Sequence, residues 1–367
     1  MKTGKKTKAV VKNNKYPIVI GHSIDSAFVS FIRVNKIPVK KIIFLTDDNV
    51  FRCCLKPILN SSSTLSKAQV LTIKSGEKHK SINTVNRLWH SLLKLKADRN
   101  TVLVNIGGGV VTDLGGFVAA TYKRGIRFIN IPTTLLSMVD ASVGGKVGID
   151  FGGAKNQIGL VSDPIAVFIG SDFLRTLSDR EIRSGFAEMI KHALLSSKSL
   201  FSTTQKISLK DVAKNNLFIE LIKKSVEYKN KIAQKDPLEK GIRKFLNYGH
   251  TIGHAVEALL MNKGKRQLLH GEAIAIGLIC ETYLSFKILG FPKIQVDAMK
   301  KDILLKYTKV RFSKPDIEGI VRLTLFDKKN VDGRINFTLL KEIGSPTFDN
   351  FITSKMIRES IEYYLAD

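Results

Sequence analysis

The sequence predicts a Rossmann-like α/β nucleotide-binding domain followed by a mainly α-helical domain. Short β-branched apolar runs alternate with helical patterns in the first part of the chain, which is typical of a parallel sheet covered by helices. From Ser178 onward the patterns are mostly helical, and 367 residues suffice for two domains with separate cores. We therefore predict domains at 1–170 and 171–367, with a basic tail over 1–15.

Five strands are predicted in the first domain, each a short run rich in Val, Ile, Leu and Phe. They cover residues 16–21, 41–47, 69–74, 101–106 and 127–131. A helix is predicted over 81–97, because Val85, Leu88 and Leu92 recur at roughly helical spacing. Strands and helices that alternate in this way favour a doubly wound parallel sheet.

Five helices are predicted in the second domain, over residues 178–196, 211–235, 241–260, 271–289 and 354–365. Ser178 and Glu181 form a capping-box pattern at the start of the first of these helices. Asp332 and Gly333 predict the turn of a short β-hairpin within 331–340.

Composition favours a cytoplasmic protein that binds small molecules. We expect no membrane span, since no run of about 18 apolar residues occurs, and no apolar core follows the Lys-rich start as in a secretory signal. The three cysteines form no disulfide framework. Outside the tail, the lysines behind the net charge of +27 are scattered, and no nucleic-acid-binding motif accompanies them. We therefore expect a lysine-rich surface, part of which serves acidic ligands.

Three histidines stand at or near predicted helix starts. His250 and His254 are four residues apart, so both project from one face of a helix, and His270 precedes the next apolar helical pattern. A single buried histidine is more often a hydrogen-bonded core residue than a ligand. The three together favour a metal or phosphate site.

A glycine turn lies between the fourth strand and a helix. The run Gly107-Gly108-Gly109 is suited to bind a pyrophosphate through backbone amides, although it is not the Gly-x-Gly-x-x-Gly fingerprint. A tight turn without a ligand is an equally good reading of the glycines alone. Asp47 and the 76–80 run follow neighbouring strands at the same sheet edge, where ligands bind in open α/β sheets. This edge is therefore predicted to hold a nucleotide.

A polar segment over 132–156 combines glycines with Asp140, Lys146, Lys155 and Asn156. Such residues suit the close approach of a phosphorylated, polyhydroxylated substrate, although a solvated loop is the alternative.

Further along, Glu188 and Lys191 share one helix face, for which a surface ion pair is the simplest reading. Apolar neighbours make a buried carboxylate credible, and with two imidazoles it would suit Zn²⁺.

These residues lie in motifs that resemble the sugar-phosphate cyclase family, and within it the 3-dehydroquinate synthases. The similarity runs from about residue 41 to residue 344, with the basic tail outside it. The motifs are Gly-Gly-Gly-Val-Val-Thr-Asp, Pro-Thr-Thr-Leu-Leu-Ser-Met-Val-Asp, Gly-Gly-Lys, Lys-Asn, Gly-Phe-Ala-Glu-Met-Ile-Lys, Leu-Asn-Tyr-Gly-His-Thr-Ile-Gly-His and His-Gly-Glu. Their order and spacing together make chance similarity very improbable.

The resemblance implies a dehydroquinate synthase-like fold and a shikimate-pathway lyase that depends on NAD⁺ and on Zn²⁺ or Co²⁺. The substrate implied is 3-deoxy-D-arabino-heptulosonate 7-phosphate. Transient oxidation, phosphate elimination, re-reduction and an intramolecular aldol reaction would then give 3-dehydroquinate and phosphate. The protein's main task would be to position and shield the intermediates.

The resemblance also implies roles for individual residues. The metal ligands implied are Glu188, His250 and His270. The residues implied to line the NAD⁺ site are Asp47, Glu77, Lys80, Gly108, Gly109, Asp113, Thr133, Thr134, Lys146 and Lys155. The residues implied to surround the substrate are Asp140, Lys146, Asn156, Lys191, Lys229, Arg243, Asn247 and His254. Arg124 matches a family arginine that reaches the phosphate of a neighbouring subunit, which implies a homodimer.

Two features depart from the family pattern. Pro237 and Leu238 stand where the family is more acidic, which puts a supporting salt bridge in doubt, and the 261–269 loop is longer than usual. The alternatives are a cyclase for another sugar phosphate, a metal-dependent polyol or glycerol dehydrogenase, and a non-enzymatic binding protein. Lys229 and Arg243 favour a substrate with a carboxylate, which the first two alternatives lack.

Overall fold

The computed structural model describes residues 9–11, 13, 15–152, 154–261, 263–325 and 335–367. Most of the predicted basic tail lies outside these residues, as do Gly153 and the Asp332–Gly333 turn. The chain divides into two compact units. A sheet unit comprises Met1–Ile182 and Leu209–Pro237, and a helical unit comprises Arg183–Ser208 and Leu238–Asp367.

The sheet unit contains a seven-stranded sheet. Its strands are β1 (Ala9–Val11), β2 (Ile18–Gly21), β3 (Ile42–Asp47), β4 (Gln69–Ile73), β5 (Val102–Gly107), β6 (Arg127–Pro132) and β9 (Ala166–Gly170). They are ordered β1-β2-β9-β6-β5-β3-β4, and all neighbours are parallel except β1 and β2. The five predicted strands are confirmed. Two strands of the sheet were not predicted: β1, which lies within the predicted basic tail, and β9, a short uninterrupted apolar run that periodicity does not separate from a buried helix.

Helices cover both faces of this sheet. They are α1 (Asp25–Val34), α2 (Asp48–Val50), α3 (Lys56–Ser61), α4 (Ile82–Lys94), α5 (Gly109–Thr121) and α8 (Asn216–Lys235). Along β3, Ile43 and Leu45 belong to one apolar cluster, whereas Ile42 and Phe44 belong to another. Because alternate residues of a strand point to opposite faces, the two clusters are the cores of the two faces.

The polar 132–156 segment is mostly ordered secondary structure, so a solvated loop is wrong for it. Residues Ser137–Ala141 form a π-helical turn. The antiparallel hairpin of β7 (Lys146–Phe151) and β8 (Ala154–Val161) follows, and β7 packs on α5. The turn packs against α8, which also contacts β1 and β2. These contacts explain why α8 belongs to the compact sheet unit.

The helical unit is built around α10 (His270–Leu289). The other elements are α6 (Asp179–Ser196), which begins in the sheet unit, α7 (Lys198–Lys206), α9 (His250–Leu260), α11 (Lys293–Lys306), α12 (Lys314–Leu325), α13 (Ser354–Leu365), β10 (Ile335–Glu342) and β11 (Ser345–Ile352). Helix α10 contacts α9, α11, α13 and β10. Its interior positions are almost all buried, which explains the continuous apolar pattern of its sequence.

The predicted elements of this part of the chain are largely confirmed, with shifted boundaries. The predicted 211–235 helix begins only at Asn216, where Asn215 caps it through bonds from two amides. The predicted 241–260 helix is a 3₁₀ segment, Ile242–Asn247, followed by α9, because Gly249 at φ 79° interrupts it. Strand β10 pairs with the following β11 through a turn at residues 343–344.

Three further expectations concern the chain as a whole. Among the described residues, no helix is both long and apolar enough to cross a membrane. Cys53, Cys54 and Cys280 are free, as expected. The division of function between domains 1–170 and 171–367 stays a prediction.

Close backbone contacts hold α9 and α6 against α10. A Cβ atom at Gly277 would lie 1.9 Å from the Gly249 carbonyl oxygen. A Cβ atom at Gly271 would lie 1.8 Å from the Ser184 carbonyl oxygen. Both distances are far below van der Waals contact, so only glycine permits these helices to approach so closely.

We expect Gly277→Ala to lower the free energy of unfolding by about 1–3 kcal/mol, because the new methyl group meets backbone that cannot rotate away. Gly319→Ala is the matched control, since its methyl group meets only the flexible end of Leu259 and alanine favours the helix. The free energy of unfolding of both variants is measured by urea denaturation, monitored by circular dichroism. Equal stability of the two variants would contradict the close-contact argument.

Candidate functional site

The glycine turn lies at the carboxyl end of β5 and opens α5. Gly108 is the N-cap of α5, and no side chain caps the free amides of the first turn. A Cβ atom at Gly107 would lie 2.6 Å from Val111 Cβ, and one at Gly108 would lie 3.1 Å from Thr134 Cγ2. Packing therefore leaves no room for a side chain at Gly107 and little at Gly108, and the turn presents amides and a positive helix end suited to a phosphate.

A buried ion pair lies beside this turn. Lys80 Nζ donates to Asp113 Oδ2 at 2.6 Å and also contacts Asn156 Oδ1. Burial raises the pKa of the Asp113 carboxyl. For Lys80, burial works towards a lower pKa, but the charges of Asp113 and Glu77 outweigh it and raise the pKa of the ammonium. The two polar segments predicted separately, 76–80 and 132–156, thus meet at one cluster.

Other predicted residues lie at the same edge of the sheet, after strands that all run in one direction. Asp47 ends β3, and its Oδ1 accepts bonds from Asn49 N at 3.0 Å and Val50 N at 2.9 Å. Thr133 follows β6, and its buried hydroxyl has no hydrogen-bond partner among the described residues. A buried hydroxyl without a partner is costly, and a ligand with polar groups would satisfy it.

Two charged side chains flank this edge. Lys155 Nζ lies 3.9 Å from Glu77 Oε1, and both side chains are partly exposed. Thr134 Oγ1 accepts a bond from Ser137 N at 3.2 Å, which ties the edge to the π-helical turn. Lys146, the first residue of β7, is exposed.

The same turn carries Asp140, which meets Lys229 of α8. Lys229 Nζ donates to the Asp140 carbonyl oxygen at 2.6 Å and forms an ion pair with its carboxylate. Lys229 is 7% exposed, so its charge is held away from bulk water. The predicted substrate residues of the sheet unit therefore include a cation that is already positioned by a carboxylate.

Arg124 does not join these residues. It ends the 3₁₀ turn that follows α5, and Lys123 and Arg124 have φ angles of 51° and 68°. Helix α5 has 13 residues and is therefore about 20 Å long. Because α5 starts at the glycine turn, Arg124 lies at the opposite edge of the sheet, beside a surface depression lined by Asp98, Arg99 and Asn100.

The helical unit brings the predicted metal ligands together. Glu188 of α6 is fully buried, and its Oε1 lies 3.4 Å from His250 Nε2 and 3.5 Å from His270 Nε2. His250 and His270 are the first residues of α9 and α10. His254, one turn along α9, is exposed, and one ring nitrogen from each of the three histidines lies within 4.8 Å of the other two. The close approach of α9 to α10 creates this cluster.

The second ring nitrogen of His250 and of His270 is bonded to an acceptor. His270 Nδ1 lies 3.1 Å from Glu257 Oε2, and His250 Nδ1 lies 3.1 Å from the Tyr248 carbonyl oxygen. Each acceptor favours a proton on Nδ1 and turns Nε2 towards Glu188. Sequence reasoning missed Glu257, although its spacing of seven residues from His250 places both on one helix face.

Charges inside the cluster are strongly coupled. Burial works towards a higher pKa for Glu188, but the charges of Lys191 and His250 outweigh it and hold the pKa well below its usual range. Burial and the Lys191 charge lower the pKa of His250 to about 4. For His270, burial is outweighed by the bonds with Glu188 and Glu257, which raise its pKa to about 10.

The donor set fits a divalent cation. Neither oxygen of Glu188 makes a well-aligned hydrogen bond to a described residue; its contacts are the Lys191 ion pair and the two imidazoles. One carboxylate and two neutral imidazoles suit Zn²⁺ or Co²⁺ and leave coordination positions for substrate oxygens. The alternative of a surface ion pair between Glu188 and Lys191 is wrong, because both side chains are buried.

Two further predicted residues lie in the 3₁₀ segment that precedes α9. Arg243 is 3% exposed, and Asn247 Nδ2 donates to Glu239 Oε1 at 2.7 Å. Glu239 has a φ angle of 59°, which turns the chain after Pro237 and Leu238. A carboxylate thus supports Asn247 despite the departure at those two residues.

The unusual 261–269 loop contains a 3₁₀ turn, Gly264–Arg266. Arg266 forms an ion pair of 2.8 Å with Asp316 at the start of α12. Asn262 lies outside the described residues. The loop is therefore anchored just ahead of His270.

Two solved structures share the whole fold. A 2-deoxy-scyllo-inosose synthase complexed with carbaglucose-6-phosphate, NAD⁺ and Co²⁺ aligns with a TM-score of 0.81 at 23% identity, over 97% of this chain and 100% of that chain. The 2-epi-5-epi-valiolone synthase ValA from Streptomyces hygroscopicus subsp. jinggangensis 5008, with NAD⁺ and Zn²⁺ bound, aligns with a TM-score of 0.82 at 22% identity, over 97% and 98% of the two chains. The predicted fold class is confirmed.

Sequence comparison identifies the family. Residues 70–184 match the family model of the 3-dehydroquinate synthase N-terminal domain, and residues 185–330 match that of the C-terminal domain. A 3-dehydroquinate synthase from Parabacteroides distasonis is 42% identical over 347 residues, which span 95% of this chain and 97% of the relative. The resemblance in the motifs is thereby confirmed, and the chain belongs to the 3-dehydroquinate synthase family.

Proposed function

We propose that the chain converts 3-deoxy-D-arabino-heptulosonate 7-phosphate to 3-dehydroquinate and phosphate, with NAD⁺ and a divalent cation as cofactors. The observation that carries this proposal is the cluster of Glu188, His250 and the partly buried His270 in a chain of this family. A set of one carboxylate and two oriented imidazoles, each with its second nitrogen bonded, is the arrangement of a catalytic metal site.

The nucleotide binds at the sheet edge that carries the glycine turn. NAD⁺ supplies a hydride acceptor that is restored within one turnover. The amides of Gly108 and Gly109 bind its pyrophosphate, and Asp47 accepts bonds from a ribose. The remaining residues of this site are Glu77, Lys80, Asp113, Thr133, Thr134, Lys146 and Lys155. The partnerless hydroxyl of Thr133 supports a ligand here.

Glu188, His250 and His270 hold the metal. A bound Zn²⁺ or Co²⁺ supplies Lewis acidity towards a substrate hydroxyl. Glu257 and the Tyr248 carbonyl hold the two imidazoles in the required tautomer.

The substrate is held by its two anionic ends. Lys229 and Arg243 bind the carboxylate, for which the planar fork of arginine is well suited. Lys146, Asn156, Asn247 and His254 bind the phosphate. Asp140 and Lys191 complete the set of residues that surround the substrate; Asp140 keeps Lys229 in place, and Lys191 balances the Glu188 charge.

The chain acts as a cytoplasmic homodimer in this proposal. Arg124 binds the phosphate in a neighbouring copy, which its position at the far edge of the sheet supports. Three free cysteines without a pairing framework support a reducing compartment.

The deciding experiment incubates the protein with the heptulosonate phosphate, NAD⁺ and Zn²⁺ or Co²⁺, and follows released phosphate and absorbance at the NADH band. We expect phosphate release with no net build-up of NADH, because the hydride returns to the same substrate. Stoichiometric NADH would instead favour a polyol or glycerol dehydrogenase. Absence of phosphate release would reject the cyclase.

We expect His270→Ala to abolish turnover and to weaken Zn²⁺ binding, since it removes one of three proposed ligands. Metal content after dialysis and phosphate release are the two measurements. His90→Ala is the control, because His90 is exposed on α4. Full metal content in the His270 variant would remove this residue from the ligand set.

We expect Arg243→Ala to lower kcat/KM, with a loss of transition-state stabilisation of about 2–4 kcal/mol, because a buried charge-assisted bond to the carboxylate is lost. Arg243→Lys keeps the charge but loses the two-pronged geometry, so it should recover only part of the activity. Arg322→Ala, on the exposed face of α12, is the control. An unchanged kcat/KM in Arg243→Ala would show that the carboxylate is bound elsewhere.

A further inference from the structure

Helix α9 carries His250 and His254 but begins without a side-chain cap of its own. Its N-cap is Gly249, at φ 79°, which has no side chain to accept from the free amides of the first turn. His250 stands in this first turn, as the first residue of the helix, and His254 follows one turn later. Any fraying of the turn would therefore displace His250.

The missing cap is supplied from α10 by Glu281. Its Oε2 accepts a bond from Gly249 N at 2.6 Å, and its Oε1 accepts one from Ile252 N at 3.0 Å. The Glu281 side chain is fully buried. Burying a carboxylate is costly, so its place against two amides and the positive end of a helix is a specific arrangement.

The next residue of α10 holds the segment just ahead of α9. Thr282 Oγ1 lies 2.5 Å from the hydroxyl of Tyr248, which is fully buried. The Tyr248 carbonyl is the group that accepts from His250 Nδ1. Adjacent residues of α10 therefore fix both the start of α9 and the acceptor that orients the His250 imidazole.

We propose that Glu281 is a positioning residue of the metal site: its buried carboxylate caps α9, holds His250 Nε2 facing Glu188, and thereby sets the affinity for a divalent cation. In this proposal Glu281 is neither a metal ligand nor a substrate-binding residue. It acts through the backbone amides of Gly249 and Ile252. The inference rests on the proposed metal site.

Glu281→Gln tests the inference with little change of shape. The amide keeps one acceptor oxygen and turns a donor towards the second backbone amide, so one of the two capping bonds is lost. We expect the dissociation constant for Zn²⁺, from competition with a chromophoric chelator, to rise about tenfold. The visible absorption spectrum of the Co²⁺-loaded protein should also change, because the His250 ring is displaced. Phosphate release should recover in excess metal, which a loss of catalytic chemistry would not permit.

Thr353→Ala is the matched control. Thr353 caps α13 in the same unit by accepting from Met356 N, away from the histidines. It should lower stability and leave both Zn²⁺ affinity and the Co²⁺ spectrum unchanged. Glu281→Asp is the second variant in case Glu281→Gln does not fold, since it keeps the charge but shortens the reach by one methylene. We expect an intermediate loss of Zn²⁺ affinity for it.

Unchanged Zn²⁺ affinity and an unchanged Co²⁺ spectrum in a folded Glu281 variant would overturn the inference. Equal weakening in Thr353→Ala would overturn it too, because general destabilisation would then explain the effect. If the unaltered chain binds no Zn²⁺, the proposed metal site itself fails. The titration of the unaltered chain thus separates that failure from a failure of Glu281 alone.

Discussion

The close approach of α9 to α10 is the constraint on which the helical unit depends. Only glycine at 277 lets the Gly249 carbonyl lie against α10, and this contact brings the first residues of the two helices, His250 and His270, to one carboxylate. The same approach places Glu257 against His270 and Glu281 against the start of α9. Helix packing therefore determines the ligand geometry in this unit, because a shift of either helix would move its imidazole relative to the other.

The carboxylate at the centre of this arrangement is stable only among cations. Glu188 is fully buried, and Lys191 lies next to it as the one permanent positive charge among its described contacts. Two imidazoles with opposite shifts of pKa complete the surroundings. A divalent cation bound by the carboxylate and the two imidazoles would supply further positive charge beside Glu188. The Lys80–Asp113 pair of the sheet unit also sets an ammonium against a carboxylate, although burial there raises the pKa of the carboxyl.

Much of the fold could be predicted from the sequence because its signals are local. Short apolar, β-branched runs predicted the strands that bear the nucleotide edge, and helical patterns predicted α4, α6 and α10. The predicted start of α9 was wrong. Gly249 adopts a left-handed conformation where it lies against Leu278 and Gly277, and these residues are distant in sequence. Glu257 and Glu281 were missed for a related reason: their partners are a ring nitrogen and backbone amides brought close only by helix packing. Likewise, the ion pair of Lys229 with Asp140 requires α8 to pack on a turn distant in sequence.

The position of Arg124 has a consequence for how the protein behaves on dilution. In the sheet unit it stands at the end of α5 away from the glycine turn. If it completes the phosphate site of a neighbouring copy, as we propose, a single chain carries an incomplete site. Specific activity would then fall as dimers dissociate at low concentration. An Arg124 variant and a His270 variant, each inactive alone, would form mixed dimers in which one of the two sites is whole.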